Sequence, residues 1–279
     1  MVQSRYCKYL WYAAVLTPLI IFFCLIRQTD IKYKQLFIER NPDLSLPKIN
    51  TQISGTVLWL LSSLIPIGGI LFNWLCCSNF LQASSKAGPF HLQNTTKKYE
   101  YLAIMLYGLI ITLLTTSAFT NAMKILFGEP RPNFFATCNY QNYYDAMITN
   151  NYTAYETLTV EGRFGNIIHC NASNSDINDA FASFPSGHAS LIFASMTFFG
   201  SVMTMFNQGN IIIKLIQVIS FYGAYVLATW ISITRVLDYE HRSYDVLAGA
   251  LFGIFVGYFV MAHIKKEAII LFAEGNLPV

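Results

Sequence analysis

Six apolar stretches dominate this 279-residue chain and fix the solvent it can fold in. They run over roughly 9–26, 54–77, 101–123, 189–206, 211–233 and 246–264. A helix needs about 20 mostly apolar residues to cross about 30 Å of hydrocarbon. A buried soluble helix could account for one such stretch but not for six, several of them without a single charge. Composition agrees, with 54% hydrophobic and 12% charged residues against roughly 45–50% and 25% in soluble domains. The expected architecture is an all-α integral membrane protein, a single domain over 1–279 with six transmembrane helices and both termini on one side. Net charge is only +3, and the basic residues are scattered, which leaves no stripe for binding nucleic acid.

The first stretch follows Arg5 and Lys8, lacks a small-x-small cleavage site and runs directly into Arg27, so it reads as an uncleaved anchor. Residues 207–210 are too few for more than a tight hairpin, which brings the start of the fourth stretch beside the end of the fifth. Charge does not orient the bundle, because Arg27, Lys32, Lys34, Arg40 and Lys48 load the first loop against the positive-inside expectation. The long loop 124–188 is more informative. It carries the sequons at Asn151 and Asn171 together with Cys138 and Cys170, all suited to an oxidising lumen or the cell exterior. That loop is expected to be non-cytoplasmic, in a plasma membrane or an endoplasmic reticulum or Golgi membrane, with Asn151 and Asn171 glycosylated. A Cys138–Cys170 disulfide would stabilise it by about 3–4 kcal/mol on a chain-entropy basis, the alternative being two free thiols. The sequon at Asn94 falls on the opposite side and is expected to be unmodified. Cys7, Cys24, Cys76 and Cys77 lie in or beside the stretches as small apolar residues or acylation sites.

Three polar blocks interrupt the apolar pattern, at 124–132, 185–188 and 235–245, and the topology brings all three to one face. Snorkelling accounts for Lys214, Lys265 and Lys266, and singly for Lys124 or Arg235, but not for the histidines. His241 and Asp245 are four apart at the start of the sixth stretch. On a helix the carboxylate would take the Nδ1 proton and leave Nε2 as a nucleophile. His188 ends the turn Pro185-Ser186-Gly187-His188, where the Ser186 and Gly187 amides at a helix start can receive an anion. Lys124, Arg131 and Arg235 supply three positive charges that match phosphate oxygens. The Gly249, Gly253 and Gly257 run predicts close helix contact.

Taken together, Lys124-x6-Arg131-Pro132, Pro185-Ser186-Gly187-His188 and Arg235-x5-His241-x3-Asp245 resemble the three-part signature of the type 2 phosphatidic acid phosphatase superfamily, and the spacing of the blocks is similar to that of eukaryotic lipid phosphate phosphatases. The resemblance implies a phosphohydrolase without metal or other cofactor, acting on phosphatidate, lysophosphatidate, sphingosine 1-phosphate or ceramide 1-phosphate through a phosphohistidine. His241 would be the nucleophile, Asp245 its orienter and His188 the acid and then the base. Lys124, Arg131, Arg235, Ser186 and Gly187 would hold the phosphate. Partners are then the lipid substrate and the surrounding membrane lipids, with homo-oligomerisation left open. Thr234 stands where the family usually has Ser, and Glu129 and Asn133 stand where lipid members often have Arg and His, so Glu129 would bring a negative charge toward the clamp. The rival readings are a polyprenyl diphosphate phosphatase or a phosphotransferase with the same histidines, and a six-span transporter or scaffold without turnover.

Overall fold

The computed structural model describes residues 2–79, 95–205 and 211–275. In chain order its α-helices are α1 (Val2–Arg27), α2 (Gly55–Asn79), α3 (Thr95–Phe127), α4 (Phe134–Thr137), α5 (Tyr143–Thr149), α6 (Thr153–Leu158), α7 (Asn174–Ala180), α8 (Gly187–Met203), α9 (Ile211–Leu237) and α10 (Ser243–Gly275). Among the described residues there is no strand, only isolated bridges at Ile38–Phe164 and Tyr140–Cys170. Asn94 and the 207–210 connection lie outside the described residues.

Four helical segments are long and apolar enough to cross a membrane: Gly55–Leu75, Lys98–Phe127, Ile211–Leu237 and Ser243–Ala268. The apolar stretches Tyr12–Arg27 and Gly187–Met203 are shorter, so length and composition identify four of the six expected spans. The fourth expected span, 189–206, begins two residues earlier and ends at Met203, with Thr204 as its cap. At 17 residues it covers roughly 25 Å at 1.5 Å per residue. Its surroundings explain why a short helix serves there. Helix α8 contacts α2, α3, α9 and α10, and Ala189, Ile192, Ala194, Met196, Phe198 and Val202 are all fully buried. It is the axis of the bundle. The outer helices carry the apolar surface instead, with Ile212, Leu215, Ile219, Val226 and Trp230 of α9 and Leu247, Leu251 and Phe255 of α10 exposed.

Close approach of α10 to α8 comes from three glycines one turn apart. A Cβ on Gly249 would meet the Ser186 carbonyl oxygen, one on Gly253 the Ser190 carbonyl, and one on Gly257 the Ala194 carbonyl. Small residues let helix backbones touch where lipid offers no hydrophobic drive. Buried hydroxyls and amides add interhelical bonds: Ser195 Oγ donates to the Ser62 carbonyl at 2.6 Å, Asn73 Nδ2 to the Val202 carbonyl at 2.9 Å, and Thr120 pairs with Ser190 at 2.9 Å.

One end of the bundle carries a folded cap. Residues 28–54 and 128–186 share a second core in which Ile31, Phe37 and Leu44 pack with Phe134, Phe135, Tyr140, Tyr143, Tyr155 and Phe181. Gly128 ends α3 at φ 53° and lies so close to the Tyr33 carbonyl that no side chain fits. Within the cap Glu39 is 2% exposed. Burial alone would raise its carboxyl, but bonds from Arg163, the Val160 amide and the Tyr140 hydroxyl outweigh that and hold it below the ordinary range. Cys138 and Cys170 are joined, with Cα atoms 5.1 Å apart.

Gly253→Val is expected to lower the thermal midpoint of the detergent-solubilised protein by several degrees, reflecting overpacking of about 1–3 kcal/mol. Gly223→Ala, where an added Cβ meets nothing within 4 Å, is expected to leave the midpoint unchanged or raise it slightly. Equal shifts at the two positions would remove the α8–α10 backbone contact as their source.

Candidate active site

The end of α3, the start of α8, the end of α9 and the start of α10 meet beneath the cap and bring the three polar blocks with them. A cavity of about 250 Å3 lies between them, lined by Lys124, Arg131, His188, Arg235 and His241, and by Thr51, Ile53, Gly55, Asp179 and Glu240. Five of the eight residues expected at the site therefore face one space. Asp245 stands behind His241, fully buried. Ser186 is also fully buried, and Gly187 lines a second cavity of about 410 Å3 that shares Gly55, Lys124, Asp179 and His188 with the first.

His241 sits in the turn between α9 and α10, and Asp245 in the first turn of α10. Their separation is 3.8 Å from Nδ1 to Oδ2, outside hydrogen-bond reach. Both His241 Nδ1 and Asp245 Oδ1 are buried without a partner, and a shift of about 1 Å toward Oδ2 would bring Nδ1 within hydrogen-bond reach. The other carboxylate oxygen is fixed: Asp245 Oδ2 accepts from Ser183 Oγ at 2.6 Å and from the Arg242 amide at 2.9 Å. Burial, followed by the nearby Arg131 and Lys124 charges, holds the His241 pKa below its ordinary value against the pull of Asp245. The imidazole is thereby neutral near pH 7, the form a nucleophile requires.

His188 Nε2 is 3.1 Å from the Ile53 carbonyl. A carbonyl only accepts, so Nε2 carries the hydrogen in this arrangement. The Ser186 amide donates to the Asp245 carbonyl at 3.0 Å, which ties the α8 turn to α10 and leaves that amide occupied, in contrast to its expected contact with an anion. The Ser186 hydroxyl caps α8 through the Ala189 amide.

The two arginines are heavily partnered. Arg235, 1% exposed, donates from Nη2 to Asp238 Oδ2 at 2.7 Å and to Thr234 Oγ1 at 3.0 Å, so Thr234 uses the hydroxyl it shares with Ser. Asp238 in turn accepts from Gln52 N at 3.0 Å and Gln52 Nε2 at 2.9 Å. Arg131 is held by Asp179 and Glu240. Glu129 does not line the cavity: it pairs with Arg242 at 3.0 Å and with the Tyr244 hydroxyl, so its charge is met outside the clamp. Asn133 is buried at the start of α4.

Several of these partners escape a reading of motifs. Asp238 had a local signal, three residues after Arg235 in the turn just past the end of α9, and Glu240 adjoins His241. Gln52, Ile53, Asp179 and Ser183 are apparent only once the cap is folded, since nothing in their spacing points to the site.

This arrangement accords with the comparisons. The profile of the PAP2 superfamily matches residues 102–268, more than half of the chain and all three polar blocks. The chain belongs to the PAP2 superfamily. It is 32% identical over 177 residues to lipid phosphate phosphatase 1 of Arabidopsis thaliana, covering 61% of this chain and 47% of the relative. Over 199 residues it is 28% identical to the probable diacylglycerol pyrophosphate phosphatase 1 of Schizosaccharomyces pombe, covering 66% and 62%. Over 256 residues it is 24% identical to a putative phosphatidate phosphatase of Drosophila melanogaster, covering 85% and 62%. The chain thus spans about half to three fifths of the length of these relatives. No solved structure matches it significantly.

For this PAP2 site, Asp238→Ala is expected to cost about 3–5 kcal/mol of stability by stranding the buried Arg235 charge, and Gln52→Ala about 1 kcal/mol. A double-mutant cycle on thermal unfolding in detergent should return a coupling of at least about 0.5 kcal/mol. Strict additivity would mean that the first loop does not brace Arg235.

Proposed function

We propose that the protein is a membrane-embedded lipid phosphate phosphohydrolase that works through a phosphohistidine on His241. One observation carries this reading: the two histidines and the cations line a cavity with room for a phosphate, whose wall continues into a larger, more apolar one. Gly55, Lys124, Asp179 and His188 belong to both, and the larger cavity reaches Leu58, Trp59 and Leu191 of the bundle. A phosphate in the first with a hydrocarbon chain in the second describes an amphiphile whose headgroup lies at the membrane edge. Phosphatidate, lysophosphatidate, sphingosine 1-phosphate and ceramide 1-phosphate all have that form, and the names of the PAP2 relatives support the class.

In the first step His241 Nε2 attacks phosphorus, the P–O bond to the lipid breaks, and His188 gives its Nε2 proton to the leaving alkoxide after the substrate displaces the Ile53 carbonyl. Asp245 closes on Nδ1 and stabilises the imidazolium that forms. In the second step His188 takes a proton from water, the resulting hydroxide attacks phosphorus, and the P–N bond breaks to release inorganic phosphate and neutral His241. Lys124, Arg131 and Arg235, with the Gly187 amide, meet the charge on the equatorial oxygens. These cations supply the charge that a divalent metal would otherwise bring, so turnover is expected to resist chelators.

For topology we take α1 and α8 to complete six spans, α8 being screened from lipid by its neighbours. The Cys138–Cys170 pair and the exposed sequons at Asn151 and Asn171 support a luminal or extracellular cap. A diphosphate phosphatase or a phosphotransferase would use the same histidines, and a transporter or scaffold would show no turnover.

Purified wild type is expected to release phosphate from these lipids in excess chelator, and His241→Ala to lose at least about a thousandfold in kcat, within the barrier that covalent catalysis must supply. Acid quenching with labelled substrate should trap phosphate on the wild type alone. Equal activity in both proteins would exclude His241 as nucleophile, and silence of the wild type on every lipid would exclude the substrate class. An endoglycosidase shift that disappears in an Asn151→Gln, Asn171→Gln variant is expected for a luminal cap, whereas its absence in the wild type would argue against that sidedness.

A further inference from the structure

The smaller, polar cavity holds more charge than a clamp needs. Beside three cations its wall carries two carboxylates, Asp179 and Glu240, and both contact the same guanidinium. Asp179 accepts from Arg131 Nη2 at 2.6 Å, and its carbonyl accepts from Nε at 2.8 Å, while Glu240 pairs with Nη1. Three of the five N–H donors of Arg131 are thereby taken, and an arriving phosphate gains the full fork only where a carboxylate withdraws. The two carboxylates differ in their freedom to do so. The Asp179 side chain is 53% exposed and can turn to water, whereas that of Glu240 is 14% exposed. The Glu240 amide also donates to the Arg235 carbonyl at 3.1 Å, which pins it in the turn that presents His241.

We propose that Glu240 is a specificity-determining residue, which holds Arg131 Nη1 and sets a fixed negative charge beside the bound phosphate. This rests on the phosphatase reading above and deepens it. A like charge in a partly desolvated cavity repels added negative charge strongly. The second phosphoryl of a diphosphate therefore meets a penalty that a monoester avoids. Free inorganic phosphate meets the same carboxylate without an apolar tail to offset it, so the product leaves readily. Glu240 thus restricts the site to a single phosphate group carried on a hydrocarbon chain.

The test uses full-length protein in detergent, with lysophosphatidate, a diphosphate of matched chain length, and inorganic phosphate as inhibitor. Wild type is expected to favour the monoester by at least about tenfold in kcat/KM. Glu240→Gln keeps the shape and a hydrogen bond to Arg131 while removing the charge. It is expected to lower the inhibition constant of phosphate about tenfold, equivalent to about 1.4 kcal/mol, and to raise the diphosphate-to-monoester ratio similarly. Asp179→Asn should change both by less than about threefold. A wild type that hydrolyses the diphosphate as well as the monoester overturns the proposal without any variant. So does a Glu240→Gln protein whose phosphate inhibition constant is unchanged or higher, the signature of a residue that only braces Arg131. A wild type silent on every ester overturns this proposal together with the phosphatase reading, and is told apart by the absence of any turnover to inhibit.

Discussion

The backbone contact between α8 and α10 is the constraint from which the site follows. Because Gly249, Gly253 and Gly257 bring α10 against the carbonyls of Ser186, Ser190 and Ala194, the two helix starts lie side by side. The Ser186 amide can then donate to the Asp245 carbonyl, and His188 and His241 enter one cavity. A side chain at any of the three glycines would separate these turns before it disturbed any lipid-facing residue. Packing inside the bundle and geometry at its end are therefore one requirement, imposed by residues that carry no chemistry.

A second constraint is electrostatic. Desolvating Arg235 to 1% exposure is costly without a counter-ion, and Asp238 provides one from the turn just past the end of α9. Asp238 then has further lone pairs to satisfy in a fully buried position, and Gln52 fills them from the first loop. The chain of compensation runs from a cation to a carboxylate to an amide nearly two hundred residues away in sequence. That is why the cap is built from two loops and not from the long one alone. The aromatic core that joins Phe37 to Phe134, Phe135 and Phe181 encloses Cys138 of the disulfide, while Ile53 packs into the core of the bundle.

Legibility in the sequence followed the range of the interactions. The apolar stretches and the helix start at His188 are local, and four of the six stretches are long enough to span a membrane. His241 stands in the turn before α10, 3.8 Å from Asp245 Oδ2, so the bond expected of an i, i+4 pair on one helix is not formed. The wall residues from the first loop were invisible because that loop has no periodicity of its own. It acquires structure only against the aromatic residues of 134–181. Glu129 illustrates the same limit in reverse. Its sequence position, two residues before Arg131, implied a charge in the clamp, but side-chain direction sends it to Arg242 and Tyr244. The short α8 was legible as apolar, yet its burial by four neighbours, which removes the need to match the bilayer thickness alone, is a property of the assembled bundle.

The gap between His241 and Asp245 fits this picture of a site held slightly open. Ser183 and the Arg242 amide both pull on Asp245 Oδ2, while Nδ1 of His241 waits unpartnered at 3.8 Å. Closing that gap gains most when the imidazole becomes positive, because a charge-assisted bond is about twice as strong as a neutral one. In the proposed mechanism the dyad is weakly coupled while His241 is neutral, and it would strengthen as phosphorus draws electrons from Nε2. An interaction that tightens along the reaction lowers the barrier without deepening the ground state, and the loose resting geometry is the form such an interaction takes before substrate arrives.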